Sequence, residues 1–292
     1  MSFKIVILGD GSAIANRLTQ ILSDQPLLFL YVDNMCLADP AKFSLASAWT
    51  DFLTQEQVTI AVNLQFPVTE KETDVSLPIA LALAEGCANI NLPVIQLSSF
   101  RVFGEAYVDK GWGEVDIPNP SDSFGKSLMK REHGATLAAK HIVLRLSWLL
   151  NAFDQSLLDT TASKLMAGEA HMIVSDHKYG RPVSAAYVAN TVFALIQQIL
   201  ADAQNWGIFN VHSSDLCSEA EFCDYVVRIL SAELDQDFCA LEVATKGDER
   251  SITQGSANLQ GRRITDSFGI QLPSWRSGFK ALVKKWLLEH GV

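Results

Sequence analysis

The sequence predicts an α/β fold: a Rossmann-type, doubly wound parallel sheet with a smaller, interwoven C-terminal α/β lobe. Three observations predict it. Short, continuously apolar runs alternate with helical periodicity through the first half of the chain, a glycine-bearing turn follows the first run, and an aspartate closes the second. Strands that are apolar at every residue are buried on both faces, which calls for a parallel sheet with helices on each side. Right-handed crossovers then give the doubly wound arrangement, whose ligands sit at the carboxyl ends of the strands.

The elements follow in order. Lys4–Leu8 (KIVIL) is a buried-strand run ending at Gly9, and Ala13–Leu22 puts Ile14, Leu18, Ile21 and Leu22 on one helical face. Leu27–Val32 is a second strand, stopped by Asp33, and Thr59–Asn63 a third. Leu77–Glu85 reads as a helix, Val94–Leu97 as a fourth strand, Ser123–Lys140 as a helix and Ile142–Leu146 as a fifth strand. Beyond these, Ser184–Leu200 reads as a helix and Ile208–Val211 as a strand that extends the same sheet. Ser218-x-x-Glu221 is a capping-box pattern opening a helix through Leu230. Trp275, Phe279, Leu282, Val283, Trp286 and Leu287 form an apolar stripe on a C-terminal helix.

Composition narrows the function classes. The chain has 292 residues, 48% of them hydrophobic, so a sizeable core is available. Its formal net charge of −10 argues against a basic nucleic-acid face and against adhesion to anionic membrane. No apolar stretch reaches the roughly 18 residues of a membrane span, and the N-terminus lacks a signal-peptide pattern, so a cytoplasmic protein is expected. The cysteines, Cys36, Cys87, Cys217, Cys223 and Cys239, are odd in number and form no Cys-x-x-Cys pair, which reads as buried free thiols. The six histidines have no metal-ligand spacing, so no metal is expected.

The first turn reads Gly9-Asp10-Gly11-Ser12-Ala13-Ile14-Ala15. In a dinucleotide fold, glycines here permit a tight turn, close approach of pyrophosphate and tight helix–strand packing. The pattern is partial: Ser12 brings a side chain to the second glycine position, Ala15 replaces the third, and Asp10 adds negative charge. Asp33 stands where an acidic residue binds a ribose 2′-hydroxyl and repels a 2′-phosphate, which favours NAD over NADP.

The segments Leu97-Ser98-Ser99-Phe100-Arg101-Val102-Phe103-Gly104, Glu114-Val115-Asp116-Ile117-Pro118-Asn119-Pro120, Phe124-Gly125-Lys126-Ser127-Leu128 and Leu144-Arg145-Leu146-Ser147-Trp148 occur in that order. They are followed by Gly180-Arg181-Pro182-Val183-Ser184 and Phe268-Gly269-Ile270-Gln271-Leu272-Pro273-Ser274-Trp275-Arg276. This series resembles the dTDP-4-dehydrorhamnose reductase family of extended short-chain dehydrogenases/reductases along nearly the whole chain. The resemblance implies a Rossmann NAD(P)-binding domain from residues 1–150 and about 181–213. A substrate-binding lobe would take about 151–180 and 214–292. It further implies cofactor contacts from Gly9, Gly11, Ser12, Ala13, Ile14, Asp33, Asn63, Leu64 and Gln65, and substrate contacts from Trp148 and His177.

The family reduces a 4-keto group of a nucleotide-sugar using a Ser or Thr, a Tyr acid and a Lys four residues later. Ser99 fills the first position, but Phe124 stands at the Tyr position and Leu128 at the Lys position. Phe has no proton to give, and Leu has neither charge nor donor. Lys126 and Lys130 lie about 200° round the helix from Leu128 and face away. Tyr107 and Tyr179 fall in expected loops, and Arg250 lies out of register with the family's Arg-Pro pair, which aligns with Thr253-Gln254. Glu114 and Asp116 read as a solvated acidic loop, and Leu64-Gln65-Phe66 replaces small residues that lie against the cofactor. The expectation is therefore a nucleotide-sugar- and NAD(P)-binding relative, with cofactor grip weakened or lost, acting by binding or regulation. Two alternatives stand beside it: an active 4-keto reductase or epimerase with a relocated acid, and an interaction module that binds no nucleotide. Compatible partners are a nucleotide-sugar or related small molecule, a protein partner and a second copy of the chain.

Overall fold

The computed structural model describes residues 3–33, 41–65, 70–104, 110–150, 156–169, 171–238, 241–244, 252–253 and 255–291. A central sheet of six strands forms its frame. These are β1 (Lys4–Gly9), β2 (Leu28–Asp33), β3 (Ile60–Asn63), β4 (Val94–Ser99), β5 (His141–Leu146) and β10 (Gly207–Val211). Their order is β10-β5-β4-β3-β1-β2, and every pair is parallel. β1 pairs with β2 on one side and β3 on the other, so the winding reverses there. The crevice beyond Gly9 and Asn63 is consequently the topological switch point where a doubly wound sheet binds ligands.

The strand pleat builds two core layers from one run of residues. Ile5 and Ile7 of β1 pack into a cluster with Ile14 and Leu18 of α1 (Ala13–Ser23) and Val188 and Val192 of α6 (Ala185–Leu200). Val6 and Leu8 point the other way, into a cluster with Trp49 and Leu53 of α2 (Ala46–Gln55) and Ile79 and Leu83 of α3 (Glu70–Asn89). A third cluster joins Leu128 of α4 (Ser123–Thr136), Trp148, Leu158 of α5 (Leu157–Met166), Phe222 of α7 (Glu219–Leu234), and Phe279 and Trp286 of α9 (Phe279–Glu289). Smaller strands complete the C-terminal part. β6 (Leu149–Leu150) pairs with β9 (Val183–Ser184), β7 (Met172–Ser175) with β12 (Leu241–Ala244), and β8 (Tyr179–Gly180) with β11 (Cys217–Ser218). Helix α8 (Arg263–Phe268) returns to the first core through Ile264 and Phe268.

The predicted α/β sheet is present, with the Ile208–Val211 run as its edge strand. The Ser218 capping box is formed in full and opens α7, an arrangement that stabilises a helix start by about 1 kcal/mol. Several details differ. α3 starts at Glu70 and carries Pro78 inside it, and α4 ends at Thr136 rather than Lys140. The C-terminal helix begins at Phe279, so Trp275 joins the stripe from the preceding turn. Tyr179 lies in a two-residue strand rather than a loop.

Cys87, Cys217 and Cys223 are buried free thiols, and burial pushes each up to about 12; Cys36 and Cys239 lie outside the described residues. Among the described residues no helix is long and apolar enough to cross a membrane, and no cluster of His, Cys, Asp and Glu could hold a metal ion.

Candidate functional site

The β1–α1 turn is the first wall of the switch-point crevice. Ser12 caps α1 by accepting from Ala15 N–H at 3.4 Å, and Gly11 takes φ +74°, a conformation that favours glycine. Ala13 is partly buried and Ile14 is in the core, so both serve the helix's packing. The glycine at position 9 has a different explanation from the one its sequence context suggests. A Cβ there would come within 2.3 Å of the Tyr31 hydroxyl, so the space is filled by a ring from β2. The same hydroxyl accepts from Gly11 N–H at 2.9 Å, while the Asp10 carboxylate accepts from Ser12 N–H at 3.0 Å. Two backbone donors that a pyrophosphate would use thus already have partners within the chain. Asp33 ends β2 opposite Gly9 and is half-buried.

The second wall follows β3. Asn63 is fully buried, with its amide donating to Gln96 Oε1 at 3.0 Å and its carbonyl oxygen accepting from Gln65 N–H at 3.1 Å. Leu64 points into the core below the sheet. Gln65 is 1% exposed, and neither atom of its side-chain amide has a hydrogen-bond partner. Phe66, the third bulky residue of that run, lies outside the described residues.

Helix α4 carries the positions implied for proton transfer. Asp122 caps it, accepting from Gly125 N–H at 2.6 Å and pairing with Arg101. Desolvation alone would raise this carboxyl, but the Gly125 N–H and the Arg101 guanidinium outweigh it and hold it below the ordinary range. A carboxyl lowered by folding adds stability above its unfolded value and loses it as pH falls through the folded one. Asp122→Ala is therefore expected to cost about 1 kcal/mol at pH 7. The difference from wild type should close below about pH 4, as read by thermal melts across pH.

Phe124 is half-buried, with the Arg101 guanidinium 5.4 Å from its ring centroid. Ser99, at the end of β4, is 3% exposed, and its hydroxyl accepts from Arg101 N–H at 3.4 Å. Arg101 therefore stands beside both positions. A guanidinium remains protonated at neutral pH, so it can polarise an oxygen but gives no proton. Leu128 is 0% exposed, inside the cluster that contains Phe100, Phe103 and Trp148. Lys126 and Lys130 are exposed, as the helical spacing predicted, and Lys130 lines a groove with Leu81, Glu85, Met129 and His133 on another face of α4.

The residues of α4 that sequence reasoning missed are Arg131 and Glu132. Arg131 follows Phe124 and Leu128 at the i, i+4, i+7 spacing and so shares their face. It is 1% exposed, and its Nη1 donates to Gln65 O at 3.2 Å. The spacing from Phe124 is the signal that could have found it. Glu132 accepts from Arg145 Nε at 2.9 Å and Nη2 at 2.8 Å, and from Ser98 Oγ at 2.6 Å, with both charged side chains buried.

The remaining predicted positions lie further out. Trp148 is buried over Gly180, where a Cβ would come within 2.4 Å of its ring, and its indole N–H has no partner. His177 is half-buried in the turn after β7 and pairs with Asp176 at 3.1 Å. Its backbone N–H donates to Ser175 Oγ at 3.2 Å. Thr253 is drawn inward to the buried Glu219, which also accepts from Ile252 N–H at 3.0 Å and Ser175 N–H at 3.1 Å. The acidic loop is not merely solvated. Glu114 accepts from Asn210 N–H at 3.3 Å, and Asp116 accepts from Gly113 N–H at 2.7 Å. Tyr107, Arg250 and Gln254 lie outside the described residues.

For a nicotinamide dinucleotide the fit is divided. The crevice stands at the right topological place, and the bare polar atoms of Gln65 need a partner there. A pyrophosphate, however, must displace Tyr31 and Asp10 from the turn's donors.

Comparison with known proteins places this geometry in a family. A curated dTDP-4-dehydrorhamnose reductase of Sinorhizobium fredii is 26% identical over 299 residues, covering 98% of each chain. The solved Bordetella bronchiseptica enzyme WbmG in complex with NAD superposes with a TM-score of 0.78 at 15% identity, covering 100% of this chain and 96% of its own. The dTDP-4-dehydrorhamnose reductase of Bacillus anthracis in complex with NADP superposes with a TM-score of 0.74 at 17% identity, covering 99% of each. Residues 3–288 match the family described as RmlD substrate binding domain, and the chain belongs to that family.

Proposed function

We propose that the chain is a dTDP-4-dehydrorhamnose reductase-like protein that binds a nicotinamide dinucleotide and a nucleotide-sugar and lacks efficient hydride transfer, its role being one of binding or regulation. One observation carries this reading. In this reading Phe124 and the wholly buried Leu128 occupy the acid and ammonium positions, and the charged group over the Phe124 ring is a guanidinium tied to Asp122. Relatives whose structures hold NADP or NAD support a nicotinamide dinucleotide as the ligand of the crevice. When bound, such a cofactor supplies the hydride.

In this reading Ser99 orients the sugar's 4-oxygen, and Trp148 and His177 lie toward the sugar-nucleotide. Gly9 through Ile14 with Asn63, Leu64 and Gln65 flank the dinucleotide, and Asp33 favours NAD by repelling a 2′-phosphate. The nucleotide lobe comprises residues 1–150 and about 181–213, the sugar lobe about 151–180 and 214–292. A cytoplasmic location, a protein partner and a homodimer fit the same role.

The test is to supply the purified protein with NADH or NADPH and a panel of 4-keto nucleotide-sugars. Expected is binding by calorimetry, with turnover about 10²–10⁴ below that of a relative holding both Tyr and Lys. Turnover comparable to that relative overturns the proposal, and so does failure to bind either ligand.

A further inference from the structure

Arg131 carries a charge and is 1% exposed. Among the described residues no carboxylate lies within ion-pair range of it, its Nη2 donates to Ser76 Oγ, and its Nε has no partner. Burial pushes this guanidinium down to about 10, with attraction from Asp10 opposing the shift, so it stays charged at neutral pH. Around it, polar groups are also bare. Gln65 has both side-chain amide atoms unpaired. Ser127, 4% exposed and one turn before Arg131 on α4, has an unpaired hydroxyl.

A cation taken out of water is costly unless an anion or several hydrogen-bond acceptors replace the solvent. Three buried side chains, Gln65, Ser127 and Arg131, thus carry bare polar atoms, and buried polar atoms ordinarily have partners. Gln65 follows β3 beside the carboxyl end of β1, where the sheet's topology places ligands, Arg131 reaches its carbonyl, and Ser127 lies one turn before Arg131 on α4. The carboxylate that faces this field is Asp10, which also accepts from Ser12 N–H. One internal anion thus holds the Ser12 N–H at the start of α1 and also attracts the arginine.

We propose that Arg131 is an anion-binding residue of this crevice, receiving a phosphoryl oxygen of the bound nucleotide in competition with the Asp10 carboxylate. This rests on the nucleotide reading given above and adds to it the residue that supplies the cation. Leu128 offers no charge, and Arg131 presents one from the next turn of the same helical face. A phosphoryl group carries several acceptors, so it can serve Arg131 and the Ser12 N–H together. Asp10 then acts as a built-in competitor, and the two residues have opposite effects on affinity.

The experiment uses the full chain and titrates inorganic pyrophosphate, NADH and NADPH by calorimetry, with thermal melts to check folding. Wild type is expected to bind pyrophosphate, and Arg131→Gln to weaken it about tenfold or more. Arg131→Lys should recover part of the loss. Asp10→Asn should tighten binding several-fold, and that gain should vanish in the Asp10→Asn/Arg131→Gln double variant. A merely structural arginine would lower the melting temperature without producing this sign reversal. Equal affinity of wild type and Arg131→Gln, or no pyrophosphate binding by either wild type or Asp10→Asn, overturns the inference. If Arg131→Gln fails to fold, the Asp10→Asn arm decides, and unchanged or weaker binding there overturns it as well. Pyrophosphate held through Arg131 while neither dinucleotide binds would sink the proposed function alone. Dinucleotides held equally with and without Arg131 would sink this inference alone.

Discussion

Glu132→Ala is expected to lower the free energy of unfolding by about 3–5 kcal/mol, measured as a fall in the urea midpoint and melting temperature at pH 7. Its carboxylate receives two hydrogen bonds from Arg145 and one from Ser98, in a place where both charged side chains are almost wholly buried. Truncation strands the guanidinium. Its remaining neighbours are the Phe103 ring face, 4.8 Å from its carbon, and the Glu114 carbonyl, which accepts from Nη1 at 3.3 Å. Most of the loss comes from that stranded charge rather than from the pair's own attraction. Replacing both residues, Glu132→Met with Arg145→Met, should therefore cost less than the single change. A single-variant loss below about 1 kcal/mol, the range of exposed pairs, would show that the pair is solvated. The network also ties α4 to β4 at the residue before Ser99 and to β5, so the single variant should loosen the whole site.

The sheet was legible because its strands are apolar at every position. Ile5 through Leu8 serve two cores at once, and only a sheet covered on both faces uses such a run. α2 was missed because only Ala48, Trp49 and Leu53 mark its buried face while Ser47, Thr50 and Asp51 beside them read as loop. α5, opened by the Ser156 cap, was missed for the same reason. The site was legible where identity alone decides chemistry: Phe124 and Leu128 lack a proton and a charge in any conformation. It was not legible where pairing decides. That Gly9 accommodates Tyr31 and that Arg131 reaches the strand-three edge depend on residues 22 and 66 positions apart in the sequence, while the local bond from Ser12 N–H to Asp10 depends on the turn's conformation.

Leu128→Lys should be the costliest single change in the candidate site, destabilising the protein by about 4 kcal/mol at pH 7. Leu128 is 0% exposed in a cluster with Phe100, Phe103 and Trp148. An ammonium placed there must either shed its proton or stay charged without water. Its folded value would fall below that of the unfolded chain, so the penalty is full at neutral pH and fades as pH rises toward about 10, where both states are neutral. Melting temperatures at pH 7 and pH 10 should therefore converge on wild type at the higher value. Phe124→Tyr meets no such obstacle. The ring is half-buried under Arg101, and a change within about 1 kcal/mol is expected. By itself it returns no ammonium at position 128. A lysine with no phenol to tune would be a burden at this position, and a leucine converts the burden into core packing. A Leu128→Lys variant that melts like wild type at pH 7 would show instead that this position opens to water, and the claim that the ammonium position has become core would fall with it.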